Sequence, residues 1–350
     1  MSKQKALFVL LIAMVFSVYA QEIPAKSINT LSIKTKNFSN APKKIYIRTF
    51  KVYYQMIAEA KKTVYGGRQF GGGSYTGNAT ARLAVGVEGV NPEDLQALTD
   101  KLYKDYIKSL EDMGFEVITA NELPDLEEFE GWGTLEGPRI NQEQLKGSLM
   151  VIPEGFSYKV KKVSKNGKER TGGFLTGLKN TNGGQAADFV SSIYGLLPKV
   201  SKAMDDALVA EVAISIPSIY LDPKSKLGTA KIKGGPYLRL GQAKITYISG
   251  RAKGMGVASP NAALEFTVNK AVPIPNVFAS EEFKVVATKL RTIVPSYATF
   301  FTVENKTVEL TNTIDCEAAA YQAEVEKVVK AYLTMSLDKL SRALKGEKVK

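Results

Sequence analysis

The spacing of hydrophobic positions changes along this chain, and the changes mark out its elements. Leu95, Leu98, Leu102, Tyr106, Leu110 and Met113 recur three or four positions apart, while Lys101, Lys104, Lys108, Glu111 and Asp112 fall largely on the other side. This predicts an amphipathic helix near 92–113. Asn91 can cap it, Pro92 suits its first position, and Glu93 and Asp94 favour its positive end. Gly114 supplies the permissive residue at the helix end, and "FEVI" then alternates like a strand. A second stripe, made of Tyr321, Val325, Val328, Tyr332, Met335, Leu340 and Leu344, predicts a long C-terminal helix near 318–344. A helix of that length needs a long surface, so it is expected to dock across a sheet.

Strand patterns occupy most of the remainder. "KKIYIRTFKVYYQMI" (Lys43 to Ile57) is aromatic and β-branched, and "ATARLAVGVEGV" (Ala79 to Val90) leads into the first helix. "GSLMVIPEGFSYKVKKV" resumes strand character from Gly147. Ala187, Val190, Tyr194, Leu197, Met204 and Leu208 read as a helix, split or kinked at Pro198. From Leu208 onward, short β-rich runs separated by Gly, Pro and Asn suggest antiparallel hairpins. The fold class read from this order is α+β, a mixed or antiparallel sheet covered by the two helices. Residues 21–42 read as a lead-in loop. Residues 43–345 form one domain or two closely packed halves, 43–145 and 146–345.

The first twenty residues place Lys3 and Lys5 before the apolar run Ala6 to Val15 and end in Val18-Tyr19-Ala20. They read as a cleaved secretion signal, the run being shorter than the roughly 20 residues of a membrane-spanning helix. The expected location is therefore periplasmic, outer-membrane-associated or extracellular. The formal charge is +12, of which Lys3 and Lys5 carry two. The excess is spread over many lysines and lacks the arginine–aromatic interleaving of a nucleic-acid groove, so no nucleic acid is expected as partner. Anionic lipid or surface polysaccharide fits an exported basic chain better. Cys316 is the only cysteine, so no intrachain disulfide exists, and its expected role is packing.

Histidine is absent altogether. That removes Ser-His-Asp and Cys-His catalysis, histidine-ligated metals and imidazole proton transfer. Carboxylate, lysine, serine or tyrosine chemistry remains. The glycine-rich tract "YGGRQFGGGSYTGN" has no Gly-Lys-Ser/Thr and runs on into a strand, so it reads as a hairpin loop rather than a phosphate loop. Its Tyr65, Arg68, Phe70 and Tyr75 are the candidate contact residues, because aromatic side chains on a glycine background bury area readily. Asp125, Glu127, Glu128, Glu130 and Glu136 form an acidic run around Trp132, read as an exposed connection, since the spacing fits no calcium loop. No catalytic residue, cofactor or metal site is assigned.

The strand, loop, strand, helix, strand order, with "LTDKLYKDYIKSLEDMGFEVITANEL", resembles the periplasmic domain of the curli secretion channel (CsgG-like) family and related outer-membrane lipoproteins over residues 44–123. The resemblance implies an α/β envelope protein that assembles into a ring, with inserted hairpins forming a pore. Two features depart from that family: no cysteine follows the cleavage site in "VYAQE", and "VITANEL" lacks the arginine after the post-glycine strand. The resulting expectation is a non-enzymatic envelope protein acting by binding or self-assembly, with other envelope proteins as partners. A pore subunit, with "YLRLGQAKITYISG" as a membrane hairpin, and a carboxylate- or lysine-dependent enzyme are the alternatives.

Overall fold

The computed structural model describes residues 23–68, 75–171, 187–226, 228–253, 257–288, 298–303 and 306–349. The secretion signal expected over 1–20 lies outside them. In chain order the main elements are strands β1 (Ile28–Ile33), β2 (Lys44–Gln55), β3 (Ile57–Val64) and β4 (Ala79–Glu88), then helix α1 (Pro92–Asp112). Strands β5 (Glu116–Ile118), β6 (Arg139–Leu145) and β7 (Ser148–Ile152) precede helix α2 (Leu196–Ala203). Strands β8 (Leu208–Ile216), β9 (Ile219–Lys226), β10 (Thr229–Pro236), β11 (Ala243–Arg251), β12 (Pro260–Val268), β13 (Phe283–Thr288) and β14 (Asn312–Asp315) lead to helix α3 (Ala318–Leu344). The expected α+β class, mixed sheet and two covering helices are all present.

An eight-stranded sheet, ordered β1-β12-β11-β8-β2-β7-β6, forms the centre, with β5 pairing beside β2. Its pairs are antiparallel except β2 with β8 and β2 with β5, which are parallel. Helices α1 and α3 lie on one face. Asn91 N–H donates to Asp94 Oδ2 (2.9 Å) at the start of α1, and Phe115 N–H returns to Leu110 O (3.1 Å) beyond its end, where Gly114 has φ +84°. The α1 residues Leu95, Leu98, Leu102, Tyr106 and Leu110 are buried. Helix α3 runs for about 40 Å at 1.5 Å per residue. Three tyrosines pin this face: Tyr54 shares a hydrogen bond with Thr99 (3.0 Å), Tyr106 donates to Tyr247 (3.0 Å), and Tyr332 donates to Phe266 O (2.7 Å).

Strands β2 and β8 both continue past the main sheet. Strand β2 runs through Met56 into β3, and β8 through Pro217-Ser218 into β9. The continuations form two further sheets, β14-β4-β3 and β9-β10-β13, which pack together as a lobe. A single apolar cluster extends from Phe50 and Val52 under the helices to Leu83 and Ile232 in the lobe. The joint is specific. Gln55 Oε1 accepts from Ser218 N–H and Ile219 N–H (3.0 Å each), and Gly147 O accepts from Met56 N–H and Ile57 N–H (2.9 Å each). Gly147 has φ +74°, and a Cβ there would sit 2.1 Å from Ile57 O, so only glycine fits.

Three expectations are corrected. The described part of segment 21–42 is not a lead-in loop: Ile28–Ile33 is an edge strand paired with β12, and the following 3-10 turn buries Phe38. The helix read over 187–208 shrinks to α2, because Leu208 belongs to β8, and Pro198 sits in the first turn of α2, where no N–H is needed. The acidic connection contains strand Gly133–Glu136, paired with Ser157–Val160, and buries Phe129.

Gln55→Leu removes the acceptor of two backbone N–H groups at the joint. It is expected to destabilise the protein by about 2 kcal/mol in urea denaturation; an unchanged midpoint would show that the joint does not depend on it.

Candidate functional site

Strand β2, "KIYIRTFKVYYQ", turns Ile45, Ile47, Phe50, Val52 and Tyr54 to the helices and Tyr46, Arg48, Lys51, Tyr53 and Gln55 to the opposite face. Simple alternation would not allow both sets. The ladder with β8 skips Arg48, since Ile47 opposes Ala210 while Thr49 opposes Glu211. This bulge shifts the phase by one residue and aims Arg48 at Glu211. Next to Glu211, strand β11 contributes Lys244 and Thr246, and β12 contributes Glu265. The half of this face beside Tyr46, Val209, Ile248 and Ala263 is apolar and covered by Leu197 and Val200 of α2 and by Met204 just beyond it. The other half is charged and buried.

Three carboxylates organise the charged half. Glu211 accepts from Arg48 Nη1 and Ser192 Oγ in short contacts and from Lys244 Nζ at 3.1 Å. Lys244 Nζ also donates to Val190 O (2.9 Å) and Ser192 Oγ (3.0 Å). Asp188 takes Lys51 Nζ (3.4 Å), Thr171 Oγ1 (3.3 Å) and, in a short contact, the Tyr53 hydroxyl. Glu169 accepts from Arg139 Nε (3.1 Å), Asn141 Nδ2 (2.8 Å) and the Tyr158 hydroxyl (2.8 Å). A fourth acid, Glu265, accepts from Thr246 Oγ1 (3.0 Å). The Lys51 side chain is fully buried, with Nζ 5.6 Å from the Tyr158 ring centre.

Burial by itself pushes the Glu211 carboxyl up, but Lys244, Arg48 and Ser192 together hold it down at about 2. Asp188 is likewise lowered: burial raises it, and Lys51, Tyr53 and Lys244 outweigh that. Burial first, then Asp188, keeps the Tyr53 phenol well above its ordinary value. A carboxylate held near 2 and saturated with donors is a poor proton acceptor at neutral pH. The arrangement therefore neutralises ions inside the protein. Among the described residues, no group of three or more Cys, Asp or Glu side chains could hold a metal ion.

The glycine-rich hairpin is elsewhere. Tyr65 follows β3 at the outer end of the β3–β4 pair, with 76% of its surface exposed. Arg68 and Tyr75 oppose each other in the short ladder of Gly67–Arg68 with Tyr75–Thr76. Phe70 lies outside the described residues. The acidic residues Asp125, Glu127, Glu130 and Glu136 are exposed and Glu128 is half-buried. Cys316 is half-buried, and burial followed by Glu317 pushes its thiol up to about 11. The charged face was missed in the sequence, though it left a signal. "YIRTFKVYY", "LVAEVAISI", "AKITYIS" and "AALEFTV" each carry charge in the middle of an otherwise apolar strand. No protein-family profile, curated protein or solved structure matches this chain.

Glu211→Gln leaves Arg48 and Lys244 without their shared anion and is expected to cost about 3–5 kcal/mol at neutral pH. The folded carboxyl titrates near 2 and an ordinary one at 4.5. Its stabilisation is therefore complete above pH 4.5 and lost as pH falls from 4.5 towards 2, about 3 kcal/mol in all. Urea titrations at neutral and acid pH should show the gap between wild type and variant narrowing; a constant gap would contradict the ionised Glu211.

Proposed function

We propose that this chain is an exported, non-enzymatic protein of a bacterial envelope that acts by binding or assembly, as an accessory to outer-membrane secretion or surface assembly. The leader pattern of residues 1–20 supports export. The buried carboxylates support a role without catalysis, since Glu211, Asp188 and Glu169 are each engaged by internal donors. The observation that carries the reading is Tyr65: a large aromatic, 76% exposed, where strand β3 ends and the glycine-rich stretch begins. An aromatic side chain presented on a packed hairpin is the usual anchor of a protein interface.

The β3–β4 pair also bears on the pore-subunit reading. A membrane strand pair needs an outward apolar band. Here Glu59, Lys61, Thr63, Thr80 and Arg82 alternate with the inward residues of β3 and β4, and Glu59 pairs with Arg82 (2.8 Å) and Lys146 (3.2 Å). The stretch "YLRLGQAKITYISG" places its strand Ala243–Arg251 inside the main sheet, paired on both sides and buried at all but its last residue. That position favours a scaffold over a membrane hairpin.

The test is to cross-link the protein in native envelope fractions and size the products. Adducts above the monomer are expected, and Tyr65→Ala should weaken association tenfold or more (about 2 kcal/mol for an interface anchor) with thermal melting unchanged. A protein that remains a monomer without adducts would overturn the reading.

A further inference from the structure

Beside edge strand β6 the chain forms a short two-stranded ladder, Lys162–Val163 with Glu169–Arg170. Its turn is closed by Ser164 N–H to Lys168 O (2.8 Å) and Gly167 N–H to Ser164 O (2.9 Å), and Gly167 has φ +82°. The base is clamped to β6. Gln144 Nε2 donates to Glu169 O (3.0 Å), Glu169 N–H donates to Gln144 Oε1 (2.8 Å), and Asn141 Nδ2 donates to Gly167 O (3.0 Å). The hairpin is thus a built feature.

Its charge is one-sided. Lys161, Lys162, Lys165, Lys168 and Arg170 are all exposed. The one acid of this segment, Glu169, is buried beneath it on Arg139, Asn141 and Tyr158. Five cations therefore face solvent over ten residues with no outward carboxylate of their own. Lys162 and Arg170 share the outer face of the ladder, and Val163 and Glu169 share the other. Lys162 and Arg170 oppose each other across the ladder, so their charges act on an anionic surface together.

We propose that this hairpin docks the protein on an anionic lipid bilayer, the lysines and Arg170 meeting headgroup phosphates. Four lysines to one arginine suit diffuse headgroup charge, whereas nucleic-acid recognition favours the planar arginine fork and stacking aromatics, and residues 161–170 contain no aromatic. The proposal goes beyond the assembly reading, because a monomer can dock in this way. Its test does not involve Tyr65, so either idea can fail alone.

The experiment is co-sedimentation of the mature chain with phosphatidylcholine vesicles, with and without phosphatidylglycerol, at low and high salt. Binding is expected only to the anionic vesicles and should be released by salt. Each cation near such a surface is worth about fivefold in affinity. The double variant K162Q/K165Q should therefore bind about 25-fold more weakly, as should K161Q/K168Q, with unchanged melting temperatures. K34Q/K36Q, at two exposed lysines of the N-terminal segment, should bind like wild type. Three outcomes would overturn the proposal: equal binding to neutral vesicles, equal loss in K34Q/K36Q, or tighter binding to a single-stranded oligonucleotide than to anionic vesicles.

Discussion

Arg48 and Lys244 approach Glu211 from the strands on either side of it, and all three side chains are out of water. An ion moved alone into such a site costs several kcal/mol, and the cost is met only when opposite charges arrive in the correct geometry. That condition fixes the register of the central strands. A slip of one residue would turn Glu211 towards Phe50 and Tyr247 under the helices and leave two cations unneutralised. The bulge at Arg48 belongs to the same constraint, because without it the helix-facing and charge-facing residues of β2 could not both be placed.

The register is transmitted outward because β2 and β8 are also the strands that enter the lobe. Gln55 ties their exits together, and Gly147 of the β6–β7 turn holds the β2 exit from the other side. Beyond the joint, packing replaces charge. The lobe closes over small residues, as at Gly234, where a Cβ would lie 2.5 Å from Leu221 and 3.2 Å from Leu83. The two ends of the molecule thus differ physically: an ion-paired sheet face with helices behind it, and a thin apolar sandwich whose outer side is polar.

This division bears on function. Without histidine, chemistry would fall to carboxylate, lysine, serine or tyrosine; Glu211, Asp188 and Glu169 are paired with cations, and buried Glu265 accepts from Thr246. What the exterior presents is an aromatic at one hairpin and a cationic ladder at another. Tyr65 stands just past the end of β3, and the cationic ladder is tied to β6 through Gln144 and Asn141.

Much of the architecture was legible in local sequence. The capped stripe from Asn91 to Gly114, the C-terminal stripe ending at Leu344 and the β-branched runs are local signals, since a helix or a strand needs only its own period to be recognised. Strand Ile28–Ile33 was not legible, because "INTLSI" is short and half polar and becomes a strand only by pairing with β12. The candidate contact Tyr65 was visible as an aromatic at the edge of a glycine tract. The charged face was visible only as isolated ions in apolar runs, with nothing to say which acid met which base. Composition and period by themselves determined the α+β class, the two helices and the exclusion of imidazole chemistry. Tertiary structure alone decided that Arg48, Lys244 and Glu211, up to 196 positions apart in sequence numbering, converge on one sheet face, because strand order and a single bulge are properties of long-range pairing that no local window contains.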